Sequence, residues 1–285
     1  MEKVLYLFSS VFLSSGRNII SKKTALLFGG KSNFFLLQTL LFGAATGLLL
    51  PFSIKELTNL SFITIIYGVI YGMLLVSSQW AFTMALRLGE TSICTVVYSL
   101  GFILPTLSGT IFWKEKLTPF NYFGIALAVL VILISAKKKE RNKKIKSAFL
   151  PFVLVAMLSS GGLGIMQKVQ QSSSAAEEKT AFLFIAFLLA WAFSITAFLF
   201  SKEKAKAVAK NSVFPIAAGL CFGGANFFNT VLAGKMKSGI FFPLQNVLVV
   251  LFSAVLGIAI FKEKITAKTL LVLLLGIAVI ILFSF

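Results

Sequence analysis

The chain has 285 residues, of which 58% are apolar and only 13% charged, with a net charge of +18 and no histidine. A soluble domain is about half apolar and about a quarter charged, so this composition excludes an ordinary water-soluble globule and places the chain in a bilayer. The positive charge does not indicate nucleic-acid binding, because lysines flanking membrane helices are the ordinary source of such a value.

Crossing ~30 Å of hydrocarbon takes an apolar helix of about 20 residues, and the chain offers ten such runs. The first, Val4 to Ser21, follows Glu2 and Lys3. That start resembles a secretory signal, but no small-residue cleavage pattern follows. This run carries LSSG at Leu13 to Gly16, then Arg17 and Asn18, with Lys23 seven residues after the glycine. The second run is Asn33 to Pro51, and the third is Phe62 to Leu86. Within the third, Gln79 and Thr83 share a face at a spacing of four. The fourth, Thr91 to Phe112, holds Tyr98 seven residues before Pro105. A charged bend, WKEKLT (Trp113 to Thr118), leads to the fifth, Phe120 to Ala136, for which Thr118 and Pro119 predict an N-cap and first-turn pair.

The linker KKKERNKKIK (Lys137 to Lys146) is the sharpest change of composition in the chain. Beyond it, the sixth run, Ser147 to Gln167, repeats LSSG at Leu158 to Gly161, again with a lysine, Lys168, seven residues after the glycine. The seventh run is Thr180 to Phe200. The eighth, Val213 to Ala233, places Asn226 and Asn229 three apart and so on one face. The ninth, Gly239 to Phe261, has Gln245 and Asn246 just after Pro243 and ends in FKEKIT (Phe261 to Thr266), a second copy of the first charged bend, with Gly257 opposite Gly109. The tenth is Ala267 to Phe283.

Both matches follow from a duplication, with residues 1–136 as the first repeat, 137–146 as the linker and 147–285 as the second repeat. The fold class is therefore all-α integral membrane, with ten transmembrane helices in two five-helix repeats. An odd number of spans per repeat forces inversion, the plan of many secondary transporters, which bind substrate at the interface between repeats. The two cysteines, Cys94 and Cys221, lie in apolar spans of different halves and read as packing residues rather than a disulfide or metal pair.

All nine acidic residues are glutamates, and each falls in a bend or at a span end. Glu115 and Glu263, each between lysines, read as helix-end and ion-pair residues. With neither histidine nor a buried carboxylate, the chain lacks the commonest acid–base group and metal ligand, so an enzyme has nothing to work with. A proton-coupled exporter of lipophilic cations would need an acid near mid-depth. Neutral, zwitterionic or anionic substrates fit better, and no cofactor or metal is expected.

Polar side chains inside the spans are the candidate substrate contacts: Gln79, Tyr98, Asn226, Asn229, Gln245 and Asn246. The plainer alternative for each is interhelical hydrogen bonding that holds the bundle. Arg17 with Asn18 offers a guanidinium for a carboxylate or phosphate, against the alternative of snorkelling to the interface. Lys23 and Lys168, at span ends, read as interfacial anchors. Pro105 and Pro243 each remove a backbone donor inside an apolar span, giving either a pivot for alternating access or a static kink.

Two five-helix halves, the Ser15, Gly16, Asn18, Lys23 element and an apolar helix ending in Lys-Glu-Lys-Leu-Thr resemble the EamA family of the drug/metabolite transporter superfamily. The resemblance covers essentially the whole chain. The first helix departs from the family pattern in having Ser15 where a Trp usually precedes the glycine, and Arg17 just after it. The resemblance implies export or import of amino acids, other metabolites or drugs across the bacterial cell membrane, with cytoplasmic termini. Charge counting opposes that orientation, since the odd-numbered bends carry 18 of the 27 basic residues. The expected partners are the bilayer and a small-molecule substrate, not nucleic acid, with a homodimer left open. Competing functions are export of drug-like or cationic compounds, and a structural or sensory membrane protein that transports nothing.

Overall fold

The structure, a computed structural model, describes residues 1–28, 34–88, 91–135, 149–201, 211–262 and 266–283. The basic linker 137–146, the lysines from Lys202 to Lys210, and Glu263 and Lys264 of the second charged bend lie outside the described residues. All regular structure among the described residues is helical: α1 (Glu2–Phe28), α2 (Phe34–Leu57), α3 (Phe62–Leu88), α4 (Thr91–Ser99), α5 (Ile103–Phe112), α6 (Pro119–Ser135), α7 (Phe149–Gln171), α8 (Lys179–Leu199), α9 (Val213–Lys235), α10 (Ser238–Phe261) and α11 (Ala267–Leu282).

The described residues of the expected spans fall on helix apart from a residue at some ends, with one division. The fourth becomes α4 and α5, joined by a 3₁₀ turn at Leu100–Phe102. Pro105 explains the break, because a proline ring opposes the carbonyl four residues earlier, here that of Gly101. Among the described residues, seven helical stretches are long and apolar enough to cross a membrane: α2, α3, Ile93–Phe112, α7, Ala176–Leu199, α9 and Ser238–Ile260. They fit a multi-pass membrane protein. At 1.5 Å per residue, the 17 residues of α6 and 16 of α11 reach only about 25 Å, short of ~30 Å of hydrocarbon. Large apolar side chains on these helices, such as Phe123, Leu188, Phe193 and Leu274, are exposed, as expected of helices whose solvent is lipid.

The start of α6 follows from its sequence. The Thr118 hydroxyl accepts the N–H of Asn121 at 3.3 Å, and the Asn121 side-chain oxygen accepts the N–H of Thr118 at 3.0 Å, a reciprocal capping box with Pro119 at the first helical position. The two charged bends also share a rare backbone state. Lys114 and Lys262, in the same register of the two copies, both have φ of 50°, and no other non-glycine residue among those described has positive φ.

The chain divides into two compact units, each drawing on both sequence halves. The first comprises Met1–Met73 and Gln170–Leu232, the second Leu74–Val169 and Ala233–Phe285.

In the first unit, α2 and α8 run antiparallel. Phe42 meets Phe187 with ring centroids 6.2 Å apart, and at the other end Glu56 accepts the N–H groups of Thr180 and Ala181 at 2.8 and 2.7 Å. A carboxylate on the first turn of a helix satisfies orphan donors and opposes the positive end of its dipole. Glu178 does the same for α3, accepting the Ser61 N–H at 3.0 Å and its hydroxyl at 2.8 Å. Glycines allow the close approaches. A Cβ on Gly219 of α9 would lie 2.1 Å from the Leu41 carbonyl oxygen of α2, and one on Gly72 of α3 would lie 2.8 Å from that of Ala186 of α8.

In the second unit, α7 lies along α4 and α5. The LSSG glycine Gly161 faces Gly101, whose carbonyl oxygen would be 2.5 Å from an added Cβ, and Gly164 faces Pro105. The C-terminal end of α5 meets the N-terminal end of α10, where Gly109 faces Ser238, so these two helices are also antiparallel. Gly124 near the start of α6 packs on the Phe283 ring at the end of α11.

Candidate functional site

In the first unit the polar candidates gather along the contact of α1 with α9. Three pairs fix the register: the Ser10 hydroxyl donates to the Asn229 side-chain oxygen, the Arg17 guanidinium lies 3.7 Å from the centre of the Phe222 ring, and the Lys23 ammonium lies 4.6 Å from that of Phe214. Phe222 in turn stacks edge-on against Phe187 at 5.3 Å. Arg17 is half-buried over an aromatic cluster, an arrangement in which a guanidinium is held by the ring face. Neither of the expected alternatives, snorkelling or capture of an anion, included this contact. Asn18, by contrast, is exposed. Lys23, read as an interfacial anchor, is exposed but set over an aromatic ring.

Asn226 is 6% exposed and engaged at both side-chain atoms. Its oxygen accepts the Tyr71 hydroxyl at 2.6 Å, and its nitrogen donates to the Phe222 carbonyl at 2.8 Å. Tyr71 is fully buried, with its ring edge-on to Phe182 at 5.0 Å. Changing Tyr71 to phenylalanine keeps the ring but removes this hydrogen bond. It is expected to destabilise the folded protein by about 0.5–1.5 kcal/mol, the usual net worth of one hydrogen bond, read as a lowered unfolding midpoint in detergent.

In the second unit, Tyr98 shares a hydrogen bond with the buried Ser78 hydroxyl at 3.0 Å, and its ring tilts against Phe82 at 4.7 Å. Gln79 is half-buried, and its backbone carbonyl accepts the Thr83 hydroxyl at 2.8 Å. Gln245 is buried, while Asn246 donates to the Phe242 carbonyl at 2.9 Å. The prolines act differently: Pro105 follows the 3₁₀ break, whereas Pro243 sits inside an unbroken α10.

The strongest electrostatic feature is half legible in the sequence, where Glu115 reads as a helix-end and ion-pair residue but its partner is not named. Lys168 is no interfacial anchor. It is 8% exposed, its ammonium lies 2.8 Å from the Glu115 carboxylate, and it donates to the Met236 carbonyl at 3.2 Å. Glu115 also accepts the N–H groups of Ser238 and Gly239 at 2.6 and 3.4 Å, capping α10. The left-handed turn at Lys114 swings Glu115 back beneath α5, where its N–H bonds to the Gly109 carbonyl at 3.1 Å. Gly109 makes room, since a Cβ there would lie 2.5 Å from the carboxylate. The signal was present in two places: lysine at the same distance after both LSSG copies, and glutamate between lysines in both bends. What linear spacing did not reveal is that these two motifs meet.

No family model matches the chain. No curated protein sequence matches it significantly. A crystal structure of a protein 14% identical in sequence matches it with a TM-score of 0.79, over 99% of this chain and 96% of the other. At that identity the likeness is one of fold alone: the chain shares its helical architecture with a protein of known structure over nearly its full length.

Proposed function

We propose that this chain is a secondary transporter of the EamA type, with ten membrane spans in two inverted five-helix repeats. In this reading it moves a small neutral, zwitterionic or anionic organic metabolite by alternating access. The observation that carries the reading is the pairing of repeat-equivalent helices. The second span of each repeat (α2 and α8) and the fourth (α5 with α10) pack antiparallel inside their units, as inversion requires. The shared φ of 50° at Lys114 and Lys262 supports the same duplication. Against an enzyme stands the sequence itself, with no histidine, no aspartate and every glutamate in a bend or at a span end.

In the first unit the proposed substrate contacts are Asn226 and Asn229, with Arg17 for an acidic group; taken by itself, the second unit offers Gln79, Tyr98, Gln245 and Asn246. Asn226 and Asn229 already hold Tyr71 and Ser10, and those partners orient the amides. The test is a stabilisation screen of the purified full chain against amino acids, organic acids, phosphorylated metabolites and cations. A true substrate at a hundred times its Kd adds about 2.7 kcal/mol. Asn226→Ala with Asn229→Ala should abolish that gain while the protein still folds. Stabilisation by cations alone favours the drug-exporter reading, and an unchanged response in the double variant overturns the site.

A further inference from the structure

The hydroxyl side chains of α2 all find partners in their own helix. Thr39, Thr46 and Ser53 donate to the carbonyls of Phe35, Phe42 and Leu50, one turn back. A hydroxyl can do this because it carries a hydrogen. An amide oxygen cannot, since the carbonyls of the preceding turn are acceptors too. Gln38 presents such an oxygen: it is buried and, among the described residues, has no hydrogen-bond donor. The buried residues Leu41, Phe42, Ala45 and Leu49 follow Gln38 by 3, 4, 7 and 11 positions, the spacing of one helix face. That face packs on α8 and α9 within the first unit. Phe42 meets Phe187 at 6.2 Å and Phe222 at 6.4 Å, and a Cβ on Gly223 would lie 3.3 Å from that of Ala45. Gln38 therefore stands one turn, about 6 Å along the axis, before the aromatic cluster on which Arg17 rests. Methionine or leucine would fill this position without the cost of a buried, unsatisfied acceptor. An acceptor placed there against that cost points to a donor that the chain itself does not supply.

We infer that Gln38 is a ligand-binding residue of the first unit, whose side-chain oxygen receives an N–H donor of the transported molecule. The inference rests on the transporter reading and narrows its substrate. Among neutral, zwitterionic and anionic metabolites, those with an ammonium group fit this oxygen, and an anion without an N–H does not. Gln38 supplies an acceptor where Arg17, as proposed above, supplies donors for an acidic group, and the rings of Phe42, Phe187 and Phe222 beside them suit an apolar substituent.

The experiment follows unfolding midpoints of the purified full chain in detergent, with each amino acid that stabilises it tested beside the same acid lacking its amine. Leucine and 4-methylpentanoate are the pair best matched to the aromatic cluster. In the parent, the amino acid should act at concentrations at least about tenfold lower than the deaminated acid, the worth of one hydrogen bond to a charged group. Gln38→Met should raise the ligand-free midpoint by about 2–4 °C, because an unsatisfied buried atom is removed. The same variant should weaken the amino acid at least about tenfold and leave the deaminated acid as in the parent. A purely structural glutamine would not move the two readouts in opposite directions. Stabilisation by no amino acid, or equal action of the two acids on the parent, overturns the inference. So does unchanged amino-acid binding in Gln38→Met, which would leave a buried water as the partner of the oxygen. If stabilisation is then lost in the Asn226→Ala, Asn229→Ala protein, the transport site stands without Gln38, whereas its survival in both variants overturns the two together. If Gln38→Met does not fold, Gln38→Glu decides, since it keeps an acceptor: retained amino-acid binding with weakened binding of the deaminated acid supports the inference, and loss of the amino acid overturns it.

Discussion

Replacing Glu115 by alanine is expected to lower stability by about 3–5 kcal/mol, the cost of leaving a buried partner charge uncompensated. Lys168 is the stranded partner: its ammonium lies 2.8 Å from the carboxylate, and both side chains are about nine-tenths buried. Lys168→Met should be milder, since it leaves a carboxylate that still accepts the N–H groups of Ser238 and Gly239. The double change, Glu115→Leu with Lys168→Met, separates charge from capping. Replacing a buried pair by apolar side chains is often near neutral, so what remains should be the loss of the α10 cap, about 1–2 kcal/mol. Thermal unfolding of the four proteins in one detergent checks this. A double variant as unstable as Glu115→Ala would mean that the carboxylate acts chiefly through the helix end.

The second large effect is steric. Gly219→Val in α9 puts a Cβ 2.1 Å from the Leu41 carbonyl oxygen and 2.9 Å from the Ala44 side chain. The first of these is backbone and cannot rotate away, so α2 and α9 must separate. Overpacking a tight contact costs about 1–3 kcal/mol and sometimes more, and this site belongs at or above the upper end. Gly47, also in α2, has no heavy atom within 4 Å of its would-be Cβ. Gly47→Ala should therefore be stabilising by about 0.5–1 kcal/mol, the intrinsic gain of alanine over glycine in a helix. Opposite signs at two glycines of one helix pair, read from unfolding midpoints, would confirm close approach of α2 and α9. Equal effects would refute it.

Much of the fold was legible because lipid is an undemanding solvent to read: apolar runs become helices wherever backbone groups have no other partner. The capping role of Thr118 and Pro119 was readable for a local reason, since the bonds that make it span three residues. The break at Leu100–Phe102 was only half readable, because Pro105 announces a disturbance without choosing between a kink and a 3₁₀ turn. The site was harder. Asn226 stood out as an amide in an apolar helix, but its partner Tyr71 is 155 residues away, and no local spacing connects them. Lys168 was misread for the same reason: a lysine at a span end is usually at the interface, and only the fold brings Glu115 to it. The sequence offers Arg17 as a guanidinium for an anion or as a snorkelling charge, yet the phenylalanine beneath it lies on a helix from the other half of the chain.

The partition of the chain into units that ignore the order of its sequence constrains how it is made. The carboxylate of Glu56 reaches its partner Thr180 across 124 residues of intervening chain. At roughly 5–20 residues per second of synthesis, α2 waits about 6–25 s in the membrane before even the first turn of α8 is made. Through that interval its glycines and the face later covered by α8 and α9 meet only lipid or earlier helices. The first unit is thus begun first and finished only after most of the second has been synthesised. A ribosome pause or a premature stop beyond the linker would strand it half-built, with its packing surfaces open to other chains.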